Sequence, residues 1–318
     1  QRKAVTLLWR LIDAKSAAGE YAAGLRSVDR LLQFDNLSER AHRAKMQLLA
    51  RTGQYNAALQ HYEACCQILT TELGVDPAPE TQSLHEQIRT AREMRPSQLP
   101  PPPPHFLGRA QEQAYLLAQL DNPTCRLLTL LGPSGMGKSR LALETARHLL
   151  VQRPGRFLHG VYFVSLVDLA QSSLLAPLLA EALGVSLSNQ QTDPFQALVD
   201  FLRPLEMLLV LDNLEQLAGD LGWLVQILRE APGVKLLVTS QSPLHLHEEW
   251  LVDLTGLAAP GEGEEVETEA ASEAYSAIHL FLQIARRLQP AYRPSPAEMR
   301  AIGHICRLLQ GMPLGIEL

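Results

Sequence analysis

Basic side chains, cysteines and long apolar runs are all scarce in this 318-residue chain, and each shortage removes a class of function. Lysine and arginine number 28 against 34 aspartates and glutamates, a net charge of -6, so the chain as a whole lacks the basic excess of a nucleic-acid-gripping surface. The balance is uneven: residues 1–95 carry 13 basic and 11 acidic side chains, the remainder 15 and 23. Four cysteines, Cys65, Cys66, Cys125 and Cys306, offer no C-x-x-C pair and no disulfide spacing, which points to a reducing, cytoplasmic compartment and away from a metal centre. His245 and His247 in a loop, without cysteine partners, read as surface residues. The longest apolar stretches, 173–185 and 205–211, are broken by Pro177, Glu181 and Glu206 and fall short of the ~18 residues a membrane span needs. No signal peptide is recognisable, and no Ser/His/Asp or Cys/His arrangement suggests covalent catalysis. The chain opens on Gln1 and stops at Leu318 inside an apolar periodic run, so it reads as a piece of a longer protein.

What is present begins with a repeat. Gly19-Glu20-Tyr21-Ala22-Ala23-Gly24-Leu25 recurs 34 residues later as Gly53-Gln54-Tyr55-Asn56-Ala57-Ala58-Leu59. That is the tetratricopeptide period, in which a helix pair cannot bury its apolar face alone and stacks on the next. Tyr21, Leu25 and Val28, like Tyr55, Leu59 and Tyr62, share one helical stripe. Two unrelated amphipathic helices with a common G-x-Y start are the alternative, and either way the region is helical. A further helix is expected over 80–95, opened by Pro79 and Glu80.

Five consecutive prolines, Pro100 to Pro104, cannot sit in a packed element. They predict an extended spacer of roughly 15 Å at ~3.1 Å per residue, and so a domain boundary at 96–105. Beyond it, apolar runs at 126–131, 161–164, 207–211 and 235–239, with a weaker one at 250–254, alternate with amphipathic helices at 138–151, 173–183, 194–202 and 220–229. Such alternation is the pattern of an α/β fold with a parallel sheet. The glutamate-rich stretch 262–273 reads as a solvated loop, and helices over 274–288 and 296–309 close the chain; Arg286-Arg287 is expected on a solvated face.

Gly132-Pro133-Ser134-Gly135-Met136-Gly137-Lys138-Ser139 satisfies G-x-x-x-x-G-K-[ST] between an apolar strand and a helix, the context a phosphate-binding loop requires. Glycines let backbone N–H groups turn around an anion, Lys138 reaches the β- and γ-phosphates, and the Ser139 hydroxyl ligates Mg²⁺. The strand at 207–211 ends in Asp212, a second Mg²⁺-holding carboxylate. Asn213 follows where efficient hydrolases often carry another carboxylate, which leaves Glu215 as its substitute in catalysis, or slow hydrolysis.

Two stretches carry family resemblances. Glu72-Leu73-Gly74-Val75-Asp76-Pro77-Ala78-Pro79-Glu80-Thr81, after the G-x-Y-x-x-A-L helix, resembles the end of the bacterial transcriptional activator domain, a tetratricopeptide-like module of antibiotic regulatory proteins. Residues 106–318 resemble NB-ARC-type STAND ATPases: Phe106-Leu107-Gly108-Arg109 is similar to their opening motif, residues 210–217 to the Mg²⁺ strand, 235–240 to the sensor strand, and Gly311-Met312-Pro313-Leu314 to G-L-P-L. The resemblance implies Leu107 and Arg109 near the adenine, Pro313 packed on the base, and Arg140 following the loop in the nucleotide site. It also implies an Arg after the sensor Thr-Ser, where this chain has Gln241, a neutral donor that weakens discrimination of ATP from ADP.

These observations predict a tetratricopeptide-like activator domain (1–95), a linker (96–105), a P-loop core (106–257) and the start of a helical extension (258–318). Together they read as a nucleotide switch of a bacterial transcriptional regulator, taking ATP or ADP with Mg²⁺ and hydrolysing slowly. An ATPase whose turnover drives work, or a helical scaffold with a vestigial site, are the competing readings. Protein partners would use the helical part, DNA only a winged helix lying before Gln1, and no membrane is involved; a nucleotide-dependent oligomer fits the same reading.

Overall fold

The computed structural model describes residues 2–94, 97, 99–101, 106–167, 169, 171–186, 193–217, 219 and 221–318. Five helices come first: α1 (Arg2–Ala17), α2 (Tyr21–Phe34), α3 (Glu39–Arg51), α4 (Tyr55–Leu73) and α5 (Pro79–Glu93). The repeated heptapeptide falls at the same place in each pair, supplying the α1–α2 and α3–α4 turns and the first residues of α2 and α4. Ile12, Tyr21, Val28, Leu31, Ala41 and Leu48 form one small core of this region. Met46, Leu49, Ala58, Leu84 and Ile88 form the next, which Leu158 enters from beyond the linker. Of the expected proline spacer, residues 96, 98 and 102–105 lie outside the described residues; Pro100, which is described, accepts a hydrogen bond from Arg147 at 2.7 Å.

The second half runs α6 (Ala110–Asp121), β1 (Leu127–Leu131), α7 (Lys138–Gln152), β2 (Val161–Ser165), α8 (Leu175–Leu183), α9 (Pro194–Leu202), β3 (Met207–Asp212), α10 (Gly222–Glu230), β4 (Val234–Ser240) and β5 (Glu249–Asp253). All strands pair in parallel in the order β2-β3-β4-β1-β5, so the weakest strand of the sequence pattern is the edge. Strand residues alternate between two cores. Leu209, Leu211, Leu236 and Val238 meet α8, α9 and α10 on one face, while Leu128, Leu130, Leu208, Val210 and Leu237 meet α6 and α7 on the other. A sheet covered on both faces explains why these strands read as unbroken apolar runs.

Three helices follow, α11 (Ser276–Leu288), α12 (Pro296–Leu308) and the short α13 (Pro313–Glu317), around Leu257, Ile278, Leu282, Met299, Ile302 and Ile316. Ser295 and Glu298 cap α12 reciprocally. The glutamates of 262–273 are exposed as expected, yet the stretch is anchored: Val266 and Ser272 are buried, Glu264 accepts from Tyr275 at 2.8 Å, and Glu267 pairs with Arg300 at 2.6 Å. Glu269 binds Arg286, which is therefore half-buried and paired rather than solvated; Arg287 is exposed as expected. The acidic run finds its cations on α11 and α12, a pairing that charge counting along one segment cannot reveal.

The helical repeat docks on the sheet's N-terminal end. Arg51, the last residue of α3, donates to the carbonyls of Gly155 (2.7 Å) and Arg156 (3.1 Å), just after α7, and forks onto Glu206 at 3.0 and 2.8 Å, just before β3. His159 shares ring nitrogens between the Gln87 carbonyl (3.1 Å) and the Glu206 backbone N–H (2.9 Å), so burial holds its pKa below the ordinary value. The Val161 N–H donates to the Ser97 hydroxyl at 2.8 Å.

Candidate functional site

β1 delivers the glycine-rich loop to the C-terminal end of the sheet. Gly132, Gly135 and Gly137 have φ of 150°, 84° and 86°, and the loop leaves no room for side chains: a Cβ at Gly132 would stand 2.8 Å from the Leu254 carbonyl, and one at Gly135 2.8 Å from the Leu314 Cβ. α7 begins at Lys138, so the loop's N–H groups and the positive end of the helix dipole share one concavity. Lys138 is only 8% exposed, and its ammonium donates to the loop's own carbonyls, Gly132 at 2.8 Å and Pro133 at 3.2 Å. Burial lowers its pKa, and the carboxylates of Glu215 and Asp212 pull the other way, which places both acids within its field. Ser139 stands next on α7, half-buried.

β4 lies between β1 and β3 and ties the acid side together. The Thr239 hydroxyl donates to Asp212 Oδ1 at 2.5 Å and accepts from the Asn213 N–H at 2.9 Å. Asn213 takes a φ of 65°, turning the chain into the short 3-10 segment Leu214–Leu217 that carries Glu215. Gln241 does not stand free: its amide donates to Glu215 Oε1 at 2.9 Å, while Oε2 is buried and, among the described residues, has no hydrogen-bond partner. A buried carboxylate oxygen left open beside a lysine and an aspartate suits a site that receives a cation or a polarised water. The donor set of hydroxyl, carboxylates and glycine N–H groups therefore fits a magnesium–nucleotide group.

On the other side of the loop, a cleft of about 40 Å³ is lined by Leu107, Arg109, Met136, Gly137, Arg140 and Pro313, six of the residues expected in the nucleotide site. Leu107 and Pro313 present apolar surface there. Arg109 differs from a free recognition group: it is 8% exposed, and its guanidinium is spent on Glu112 (2.8 Å), the Met136 carbonyl (3.3 Å) and the Thr255 carbonyl (2.6 Å). It braces the loop against the segment after β5. Arg140 lies 3.8 Å from Glu317 of α13. The Leu314 N–H donates to the Gly135 carbonyl at 3.2 Å, so the 311–314 segment sits directly on the phosphate loop. Pro133 and Ser134 are exposed at its tip.

Several of these partners were not readable in the sequence. Thr239 was visible only as part of a sensor-like strand, and its bond to Asp212 follows from β3 and β4 being neighbours. Glu112, Thr255 and Glu317 carried no signal at all, because each is defined by what it touches. Among the described residues, no group of three or more His, Cys, Asp or Glu is arranged to hold a metal ion.

A five-stranded parallel sheet with this loop, flanked by helices, is the fold of a P-loop ATPase domain, here preceded by a helical module. Residues 1–89 match the family model of the bacterial transcriptional activator domain, and residues 121–245 that of an AAA domain. The chain thus joins a bacterial transcriptional activator domain to an AAA-type P-loop domain, and the relatives it matches include proteins named as transcriptional regulators. One, Regulatory protein AfsR of Streptomyces griseus, is 27% identical over 267 residues, covering 73% of this chain and 26% of that protein. Another, named Putative HTH-type transcriptional regulator Rv0890c in Mycobacterium tuberculosis, is 31% identical over 193 residues, covering 60% and 20%. The chain therefore spans only about a fifth to a quarter of these relatives. Among solved structures, a STAND protein with a tetratricopeptide repeat sensor from Pyrococcus horikoshii aligns with a TM-score of 0.42 at 15% identity, over 68% of this chain and 30% of that one. Among the described residues no helix is long and apolar enough to cross a membrane.

Proposed function

We infer that residues 106–318 form an NB-ARC-like nucleotide switch, and that the chain serves a transcriptional regulator by coupling ATP or ADP, with Mg²⁺, to domain arrangement. The observation that carries this is the seat of the 311–314 segment: its Leu314 N–H bonds the phosphate loop itself, so a change in what the loop holds is felt by the helical extension. When bound, ATP with Mg²⁺ supplies a γ-phosphate that ADP lacks, and that difference is what a switch can read. With nucleotide bound, Lys138 would turn from its two loop carbonyls to the phosphates, and Ser139 and Asp212 would hold the metal. Thr239 fixes the Asp212 rotamer. Glu215 would orient the attacking water, with Gln241 holding that carboxylate rather than bringing positive charge.

Without a charged sensor, this arrangement supports turnover on the order of 10⁻⁴–10⁻³ s⁻¹, the range of P-loop sites that lack an arginine finger. A ligand shifts a two-state equilibrium only through unequal affinity for the two states. The 1–95 module, tetratricopeptide-like in its repeat, would take protein partners; DNA contacts belong to segments outside residues 1–318. Titration of fluorescent ATP and ADP analogues, with Lys138→Ala as control and steady-state phosphate release alongside, tests the reading. Micromolar binding with slow release supports it. Absence of wild-type affinity sinks it in favour of the scaffold, and turnover above about 1 s⁻¹, typical of working phosphotransfer enzymes, sinks it in favour of a work-performing ATPase.

A further inference from the structure

A second, larger cavity lies at the opposite end of the sheet from the phosphate loop. A cleft of about 660 Å³ opens where the helical repeat meets the P-loop domain. We propose that this cleft binds a small, uncharged aromatic molecule bearing a hydroxyl or carbonyl group, separately from the nucleotide.

Size and place come first. The volume lies in the range of ligand sites, which favour domain junctions. The walls are aromatic on both sides: Tyr21 and Tyr55 from the repeat, Phe157 and Tyr162 from the P-loop domain. The two repeated turns, Gly19-Glu20-Tyr21 and Gly53-Gln54-Tyr55, both open on it, so the internal repeat doubles the same tyrosine at one cavity. Tyr21, Phe157 and Tyr162 are buried in the wall and Tyr55 is half-buried, an aromatic lining that suits a planar aromatic guest through offset or edge-to-face contact.

Charge decides the ligand class. Arg51 reaches the cleft, but its guanidinium is already forked onto Glu206, and Arg92 at the rim lies 3.6 Å from Glu93. Both ring nitrogens of His159 are engaged, and burial disfavours its cation. Among the described lining residues, Arg51 and Arg92 each already have a carboxylate partner, which favours an uncharged guest. Among the described residues, the hydroxyls of Tyr21 and Tyr55 make no hydrogen bond within the protein, so each can donate to or accept from a guest. Burial raises the pKa of Tyr55, so its phenol enters as a neutral donor. The same wall carries Gly155 and Arg51, so a guest there also bears on the docking of the repeat.

The test uses the whole chain and the uncharged fluorophore N-phenyl-1-naphthylamine. Saturable one-to-one binding is expected, with displacement by 1-naphthol about fivefold tighter than by 1-methylnaphthalene, the worth of one hydrogen bond. Tyr55→Phe, which keeps the ring, should bring the two displacers within about twofold. Ala22→Trp, at an exposed position on the rim, should weaken the probe at least tenfold, and Lys138→Ala should leave it unchanged. No saturable binding to the wild type, equal binding by Ala22→Trp, or loss in Lys138→Ala would each overturn the proposal; should Ala22→Trp fail to fold, the Tyr55→Phe ratio decides. A chain without nucleotide affinity would still bind the probe, so the two readings fail independently.

Discussion

At the C-terminal ends of β1, β3 and β4 the chain keeps polar groups in reserve: a buried lysine that donates to its own loop and, among the described residues, a carboxylate oxygen without a partner. At the N-terminal ends of β2 and β3 the charged groups and the buried imidazole are already paired. Arg51 makes four hydrogen bonds, Glu206 meets two arginines, and His159 is bonded at both ring nitrogens. Parallel strands produce this asymmetry, because every following helix points its N-terminus toward the same end of the sheet. That end attracts anions, which leaves the other free to serve as a platform for docking. The two ends are connected through shared elements: α7 begins at Lys138 and leads to Gly155, and β3 leads from Glu206 to Asp212.

The contrast can be broken at each end separately. Lys138→Ala should have the largest effect, lowering ATP-analogue affinity by about a hundredfold, near the 3 kcal/mol upper figure for a hydrogen bond to a charged group, while leaving repeat docking intact by limited proteolysis. Arg51→Ala strips donors from two carbonyls and the Glu206 carboxylate. It should cost about 2–3 kcal/mol in denaturant unfolding and expose the 1–95 region to protease, with nucleotide affinity altered far less.

Gly155→Ala sharpens the docking side. A Cβ there would lie 1.9 Å from the Arg51 carbonyl at a φ of +77°, whereas Gly53 has a similar φ of +76° and open space around it. The first substitution should cost about 1–3 kcal/mol and the second about 1, a difference measured by thermal melts that isolates the close approach from backbone strain.

Acid should act on the helical side. The His61 pKa is lowered to about 4 by burial first and by Lys45 and His42 next, and that of His159 is lowered by burial. Both rings are neutral in the fold, so the unfolded chain binds more protons once the pH drops below about 6.5. Stability should therefore fall between pH 6.5 and about 4, and His61→Gln should flatten that slope in melts recorded across the window. The smallest effect belongs to Gln241→Ala, which frees Glu215 and should change phosphate release less than tenfold; a larger loss would mean that Gln241 contacts the phosphate itself.

Much of the scaffold was legible because its signals are local. The 34-residue spacing located both helix pairs, the apolar runs located all five strands to within about two residues, and the loop motif sat where strand gives way to helix. Pro79 and Pro194 marked the first turns of α5 and α9. Pairings between distant segments were not legible. Glu215 and Gln241 are 26 residues apart and meet only because β3 and β4 are adjacent. Arg109 looked like a base-contacting residue, and its three bonds to Glu112, Met136 and Thr255 depend on where the chain after β5 returns. Glu269 stays exposed as expected, but its pairing with Arg286, 17 residues on, is set by the fold.

By itself the sequence determined the inventory: a helix-pair repeat, a proline run, a parallel α/β core, and a phosphate loop with its acidic strand. Propensity, periodicity and glycine chemistry act over a few residues, so the residues themselves report them. Only the tertiary structure decided how that inventory is used. It spent the Gln241 amide on Glu215, seated Leu314 on the loop, and turned the end of α3 into a clamp on the far end of the sheet. It also left a tyrosine-lined cleft between the two halves, because packing two independently built cores against each other fixes contacts, and gaps, that neither half encodes alone.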